Sequence, residues 1–240
     1  MNIQKFTKPA RKLLRLRYCG AVIVAAGNAS RMGGIDKVMA PLNGEPMIVH
    51  TVRAFEECPA IREIVIVTRQ DLLQTVTRLC DPYKKVRAVV VGGADRAESV
   101  RNGMNALSEK VKIAAIHDGA RPLVSWEVID RTVRAANTYY AAAPGIPVKD
   151  TTKIVRGGVV AETPDRSTLR AVQTPQVFDF DLLRGALEQA KLDNAAITDD
   201  CSAVERLGVK VKIVDGDERN IKVTTPMDLK IAQMLLEEGK

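Results

Sequence analysis

A loop of small residues closed by two cations is the clearest chemical signal in the chain: AAGNASRMGGIDK, running from Ala25 to Lys37. Small side chains let backbone N–H groups approach an anion closely, and Arg31 and Lys37 are placed to neutralise phosphate charge. A triphosphate suits such a loop. Gly27, Gly33 and Gly34 do not fit G-x-G-x-x-G, and no Gly-Lys-Ser/Thr follows them. That spacing argues against a dinucleotide-dependent oxidoreductase and against a P-loop ATPase.

Two further segments offer matching chemistry. In VVVGGADRAES, Gly92 and Gly93 open a turn, and Arg96 and Ser99 stand at the expected start of a helix, where directional donors collect. In HDGARP, Asp118 is expected at the carboxyl edge of a strand, able to hold Mg²⁺ or a ribose hydroxyl, with Arg121 just beyond to grip a phosphate. His117 reads as a residue filling space beneath them. Thr163 to Gln176, Ile197 to Asp200 and Arg219 to Leu229 each set hydroxyls and charges beside apolar runs. Neither His50 nor His117 has a Ser-His-Asp or Cys-His arrangement nearby. Loops of this kind suit catalysis by positioning and charge neutralisation rather than by a side-chain nucleophile.

These segments need a sheet to bring them together. Apolar runs at Gly20 to Ala25, Ile61 to Thr68, Val86 to Val91 and Lys112 to His117 alternate with helical periodicity over 46 to 57, 71 to 80 and 96 to 108. Continuous β-branched runs suit parallel strands buried on both faces, and the alternation predicts βα units. Pro46 suits a first helical turn and Asp71 a cap. A helix is expected from Ser125 to Tyr139, then a Pro- and Gly-rich arm or hairpin over Pro144 to Val160, helices over 179 to 191 and 199 to 207, a strand Val209 to Val214, and a last helix near Pro226. The fold expected is a three-layer α/β sandwich, with ligands beyond the carboxyl ends of its strands.

Composition narrows the function classes. The net charge is +7, but residues 1 to 18 carry Lys5, Lys8, Arg11, Lys12, Arg15 and Arg17 with no acid, so the remainder is nearly neutral. With 4% aromatic residues and the charge confined to one end, no nucleic-acid partner is expected. No apolar run is long enough to span a membrane, and the amino-terminal extension lacks the apolar stretch of a signal peptide. Residues 1 to 18 are read as a basic, poorly ordered extension and 19 to 240 as one domain. Cys19, Cys58, Cys80 and Cys201 lack C-x-x-C spacing, which suits reduced, structural thiols in the cytoplasm.

Taken in order, AAG-x(3)-RM-x(4)-K, GG-x-x-R-x-x-S, HDGARP, PVKDTTK, TPQ, ITDD and NIKVTTP resemble the 2-C-methyl-D-erythritol 4-phosphate cytidylyltransferase family from about Cys19 to the carboxyl terminus. The resemblance implies a Rossmann-like nucleotidyltransferase fold with a mostly parallel sheet and a protruding β-arm. It implies transfer of a cytidylyl group from CTP to methylerythritol phosphate with pyrophosphate leaving, assisted by Mg²⁺. Arg31 and Lys37 match the family's cations at the α-phosphate. Ala25, Ala26, Gly27, Gly92, Gly93, Arg96 and Ser99 match its CTP-binding positions. Asp118 matches contacts to ribose and metal. Arg121, Thr151, Arg166, Thr174, Thr198 and Lys222 match the acceptor side, with Arg166 and Lys222 positioning the acceptor phosphate.

Some positions depart from the family pattern. Val24 stands where many relatives carry Pro, Asn28 and Ala29 replace a Gly or Ser pair, and Arg219 replaces a common acid, adding positive charge near Lys222. A pentitol (ribitol) phosphate cytidylyltransferase shares the CTP loops and is the nearest rival. An inert nucleotide-binding module has no need of Arg31, Lys37, Arg166 and Lys222 together. The segment from about Val148 to Val160 has two β-type runs around Gly157 and Gly158, a hairpin signal. A lone hairpin is marginal in water, so a homodimer is expected in which this arm crosses to the other subunit. The resemblance implies the same, with Thr151 and Arg166 reaching the neighbour's site.

Overall fold

The computed structural model describes residues 15 to 27 and 36 to 238. Arg31 and the departures at Asn28 and Ala29 lie outside the described residues, as do residues 1 to 14 of the basic extension. Among the described residues, twelve strands and seven α-helices follow in order. The strands are β1 (Cys19–Val24), β2 (Pro41–Leu42), β3 (Glu45–Pro46), β4 (Ile61–Thr68), β5 (Val86–Val91), β6 (Ile113–Asp118), β7 (Ala141–Pro147), β8 (Ile154–Arg156), β9 (Val159–Glu162), β10 (Arg170–Val172), β11 (Gln176–Asp179) and β12 (Lys212–Asp215). The helices are α1 (Met47–Glu57), α2 (Leu73–Cys80), α3 (Arg96–Ala106), α4 (Trp126–Tyr139), α5 (Phe180–Leu192), α6 (Asp200–Glu205) and α7 (Pro226–Glu238).

The main sheet runs β10-β7-β11-β6-β1-β4-β5, with β12 on the far side of β7. β1 pairs in parallel with both β4 and β6, and β4 in parallel with β5. Successive side chains of a strand point to opposite faces. Ala21 and Ile23 of β1 therefore join Ile64, Ile66, Ile113 and Ala115 under α1, α2 and α4, through Phe55, Val76 and Ile129. Val22 instead joins Val65, Val67, Ala114 and Ile116 under α3, α5 and α6, through Met104, Leu183 and Val204. This is the expected three-layer sandwich. Gly103 lets α3 lie close on the sheet, since a Cβ there would stand 2.3 Å from Val22 Cγ1. That contact brings the amino-terminal end of α3 to the strand ends.

The second half of the sheet differs from the sequence reading. β11 runs antiparallel to β6 and β7, and the stretch starting at Pro144 is at first a sheet strand, β7, before it becomes an arm. Ala142 pairs with both Val177 and Lys212, so β7 lies between β11 and β12. Its sequence AAAPGIP has no β-branched run, and pairing on both edges overrides its weak propensity. Pro46 occupies the cap position before α1 rather than its first turn. Asp71 caps no helix: it sits in a 3₁₀ turn, Gln70–Leu72, and pairs with Arg69. The strand expected over Val209 to Val214 forms only at Lys212–Asp215.

The arm is a two-stranded ribbon of β8 and β9. Gly157 and Gly158 adopt φ of +57° and +81°, the backbone that a tight two-residue hairpin turn requires. Every residue from 151 to 163 is exposed. Among the described residues, no helix is long and apolar enough to cross a membrane.

Candidate active site

The carboxyl ends of β1, β4, β5 and β6 open into a cleft of about 460 Å³. Ala25, Ala26, Gly27, Lys37, Gly92, Gly93, Arg96, Ser99, Asp118 and Lys222, all singled out in the sequence, line it together. The turn after β4, Thr68 to Gln70, lines it as well.

The loops after β1 and β5 are fixed by contact and by hydrogen bonds. A Cβ on Gly92 would stand 2.4 Å from Ala26 Cβ and 2.9 Å from Ser99 Oγ, so only glycine lets the turns after β1 and β5 meet. Ser99 Oγ accepts from Gly93 N–H (3.1 Å) and donates to the Asp95 carbonyl (2.9 Å). Asp95 caps α3 by accepting from Glu98 N–H at 2.7 Å, which places the first turn of α3 at the cleft. Lys37 opens a 3₁₀ turn, Lys37–Met39, whose Val38 is buried, and its Nζ lies 3.7 Å from where a Cβ on Gly27 would be.

Asp118 ends β6, opposite Val24 of β1. Lys222 Nζ sits 2.8 Å from its Oδ2, Arg121 Nε 3.7 Å from the same oxygen, and Arg96 Nη2 3.6 Å from Oδ1. Burial alone would raise its pKa, but Lys222, Arg96 and Arg121 outweigh burial and hold the carboxyl at about 2. Arg96 also bridges to Asp200 at 2.8 Å, a fully buried acid at the start of α6. The ITDD segment was legible as polar, but this partnership was not, because Arg96 and Asp200 are over a hundred positions apart.

His117 does more than fill space. His117 Nε2 faces the Arg121 carbonyl at 3.3 Å, which can only accept, so Nε2 carries the proton of the neutral ring and Nδ1 accepts from the Thr174 hydroxyl at 3.0 Å, whose Oγ1 also accepts from Asp118 N–H at 3.1 Å. Burial pushes the His117 pKa down to about 3, consistent with this neutral tautomer. Thr174 is thus buried beneath Asp118 rather than on the cleft surface. The segment that carries Lys222 is tied down by Asn220, whose Nδ2 donates to the Thr174 carbonyl (2.9 Å) and whose own carbonyl accepts from Arg121 Nη1 (2.7 Å). Val223 N–H completes the tie at the Ala120 carbonyl. Asn220 was not singled out in the sequence, although it opens NIKVTTP. Arg219 turns to the Leu235 carbonyl at the end of α7 (2.6 Å) instead of adding to the charge around Asp118.

The remaining positions that the resemblance places on the acceptor side lie elsewhere. Thr198 is exposed in an adjoining cavity that shares Asp95 and Arg96 with the cleft. Thr151 is exposed at the root of the arm, and Arg166 donates from a nearby 3₁₀ turn to the Lys149 carbonyl at 2.6 Å. Neither lines the cleft of its own chain.

Residues 19 to 238 match the family model described as 2-C-methyl-D-erythritol 4-phosphate cytidylyltransferase. The chain is similar to the protein of that name from Symbiobacterium thermophilum, at 46% identity over 90% of this chain and 92% of the relative. It is similar also to the one from Caldanaerobacter subterraneus, at 42% identity over 91% and 98%. Among solved structures, 4-diphosphocytidyl-2C-methyl-D-erythritol synthase from Anaerococcus prevotii superposes with a TM-score of 0.85 at 30% identity, covering 92% of this chain and 96% of that one. With the family model spanning nearly the whole chain, and a relative of that name 46% identical over nine-tenths of it, the chain belongs to the 2-C-methyl-D-erythritol 4-phosphate cytidylyltransferase family.

Proposed function

We propose that the chain transfers the cytidylyl group of CTP to 2-C-methyl-D-erythritol 4-phosphate, forming 4-diphosphocytidyl-2-C-methyl-D-erythritol and pyrophosphate for isoprenoid synthesis in the cytoplasm. The observation that carries this reading is the cleft itself. Small-residue loops from β1 and β5 adjoin a single carboxylate ringed by Lys222, Arg96 and Arg121. An oxygen of the acceptor phosphate bonds to the α-phosphorus of CTP, and the bond to the bridging oxygen breaks, its electron pair leaving with pyrophosphate. Charge is the main obstacle, because two anions must meet.

In this reading the backbone of Ala25, Ala26, Gly27, Gly92 and Gly93 receives the cytosine and ribose, assisted by Arg96 and Ser99. Arg31 and Lys37 neutralise the α-phosphate as it becomes five-coordinate. Lys222 turns from Asp118 toward the acceptor phosphate, which Arg121 and Thr198 flank. The partner subunit's Arg166 and the partner subunit's Thr151 complete the acceptor side from a crossed arm, so the working unit of this single catalytic domain is a homodimer. The exposed apolar arm supports that arrangement: Val155 and Val159 are 55% and 70% exposed, more than a lone ribbon in water sustains.

Mg²⁺ fits as an ion carried largely by the triphosphate. Among the described residues no group of three or more His, Cys, Asp or Glu could hold a metal, whereas Mg²⁺ commonly binds through one or two carboxylates plus substrate phosphates. Asp118 is the carboxylate that would hold it, and the ion would neutralise phosphate charge. Incubating the protein with CTP, Mg²⁺ and either methylerythritol phosphate or ribitol 5-phosphate, with pyrophosphate as the readout, tests the assignment. Release with the first acceptor alone is expected; release with ribitol 5-phosphate alone transfers the protein to the rival activity.

A further inference from the structure

We infer that Arg69, at the carboxyl end of β4, is a positioning residue for Lys37, acting as a strut between Asp36 and Asp71. The inference rests on the proposed role of Lys37 at the α-phosphate. Asp36 is the residue immediately before Lys37, and its two carboxylate oxygens are used differently. Oδ1 accepts from Val38 N–H at 3.1 Å and caps the 3₁₀ turn that Lys37 opens. Oδ2 faces Arg69 Nη1 at 2.5 Å. The other edge of the same guanidinium is gripped from its own side of the cleft: Nε and Nη2 donate to the two oxygens of Asp71 at 3.0 and 2.8 Å.

The planar guanidinium suits this job. Bidentate pairing along one edge fixes its plane, which holds the charged Nη1 end in place beside the Asp36 carboxylate. An ammonium in its place has no fixed plane and cannot hold both acids in one geometry. Arg69 and Asp36 are three-quarters or more shielded, at 25% and 18% side-chain exposure, so the pair is screened less than a surface bridge. The Lys37 turn is thereby fastened at two levels. Val38 is sunk into the core with α1, and Asp36 is tied across the cleft mouth to the turn after β4. The second tie is ionic, and it links the loop after β1 to a loop in which the sequence reading saw only a helix cap.

A strut of this kind affects rate more than nucleotide affinity. Displacing a transition-state cation by about 1 Å costs up to about a hundredfold in rate, while the ground-state contacts of base and ribose are untouched. Arg69→Ala is expected to lower kcat roughly tenfold or more with KM for CTP changed less than threefold, and Arg69→Lys to recover little. Asp36→Asn keeps an oxygen for the cap but loses the charge, so it isolates the strut. It should match Arg69→Ala, and the double variant should be no worse than either single one, because both remove one interaction. In a Lys37→Ala background, Arg69→Ala should have no further effect. Circular dichroism and melting of each variant exclude misfolding as the cause. Three outcomes overturn the inference: kcat unchanged in Arg69→Ala while Lys37→Ala collapses, additive losses in the double variant, or a raised KM for CTP that persists without Lys37, which would make Arg69 a direct phosphate contact. Full turnover in Lys37→Ala itself removes the role of Lys37 and the strut with it.

Discussion

The cleft and the arm are built on opposite principles. Around the cleft, charged groups are paired within the chain: Asp200 with Arg96, Arg96 with Asp118, Asp118 with Lys222 and Arg121, and Asp36 with Arg69. In the arm, Ile154, Val155, Val159 and Val160 face outward from a ribbon that pairs only with itself. A preorganised site must be rigid before substrate arrives, and buried pairs supply that rigidity because leaving either partner alone is costly. An apolar ribbon has no such internal answer. The difference fits the proposed arrangement, in which one chain supplies the nucleotide side of the site and the exposed arm is left to meet a second copy.

Experiments that break the cleft should give the largest effects. Lys37→Ala is expected to lower kcat by about 10²- to 10³-fold with little change in CTP affinity, measured by steady-state kinetics and nucleotide titration. The comparison sharpens when the halves are separated. Mixing inactive Lys37→Ala with inactive Arg166→Ala subunits should restore activity, since a heterodimer holds one cleft and one arm that are both intact. Recovery of about a quarter of wild-type turnover fits random exchange into two-fold dimers. Confirmed subunit exchange with no recovery would show that the arm serves its own chain. Val159→Asp attacks the arm alone: the dimer should dissociate in sedimentation experiments while the melting temperature of the sandwich moves by only a few degrees, because no core residue is touched.

The smallest expected effect is the response to mild acid. Burial would raise the Asp118 pKa, but the surrounding cations hold it at about 2, below its unfolded value, so its stabilising pairs are intact above about pH 4 and are lost as pH falls toward 2. His117 stays neutral down to about pH 3 for the opposite reason, burial. An acid limb of the rate profile near pH 6 should therefore follow the second ionisation of the acceptor phosphate, whose pKa is about 6. It should sit unchanged in Thr174→Val, which removes the hydroxyl between His117 and Asp118. A limb that shifts with that variant would implicate the buried relay instead.

Legibility from sequence followed the same division. β1, β4, β5 and β6 are continuous β-branched or apolar runs, and the loops at their ends carry glycines and charges that local chemistry explains. β7 was hidden by Pro144 and Gly145, and β11 by its length of four residues; both exist because neighbours pair with them. Ion pairs between distant segments leave no local pattern either. Asp200 and Asp36 were invisible as partners, although Arg96 and Lys37 beside them were plain. The hairpin was readable from Gly157 and Gly158, because a positive-φ turn is a local demand.

The pairing of Val24 with Asp118 across β1 and β6 has a consequence of its own. A one-residue slip in that ladder would exchange the faces to which His117 and Asp118 point, sending the carboxylate under α1 and the imidazole into the cleft. The sheet therefore acts as a ruler, and its graduations are single peptide units. No small adjustment of loops can compensate for an error of one graduation, so chains with mispaired central strands should contribute no turnover at all. Specific activity of a preparation then counts the molecules whose strands are in register.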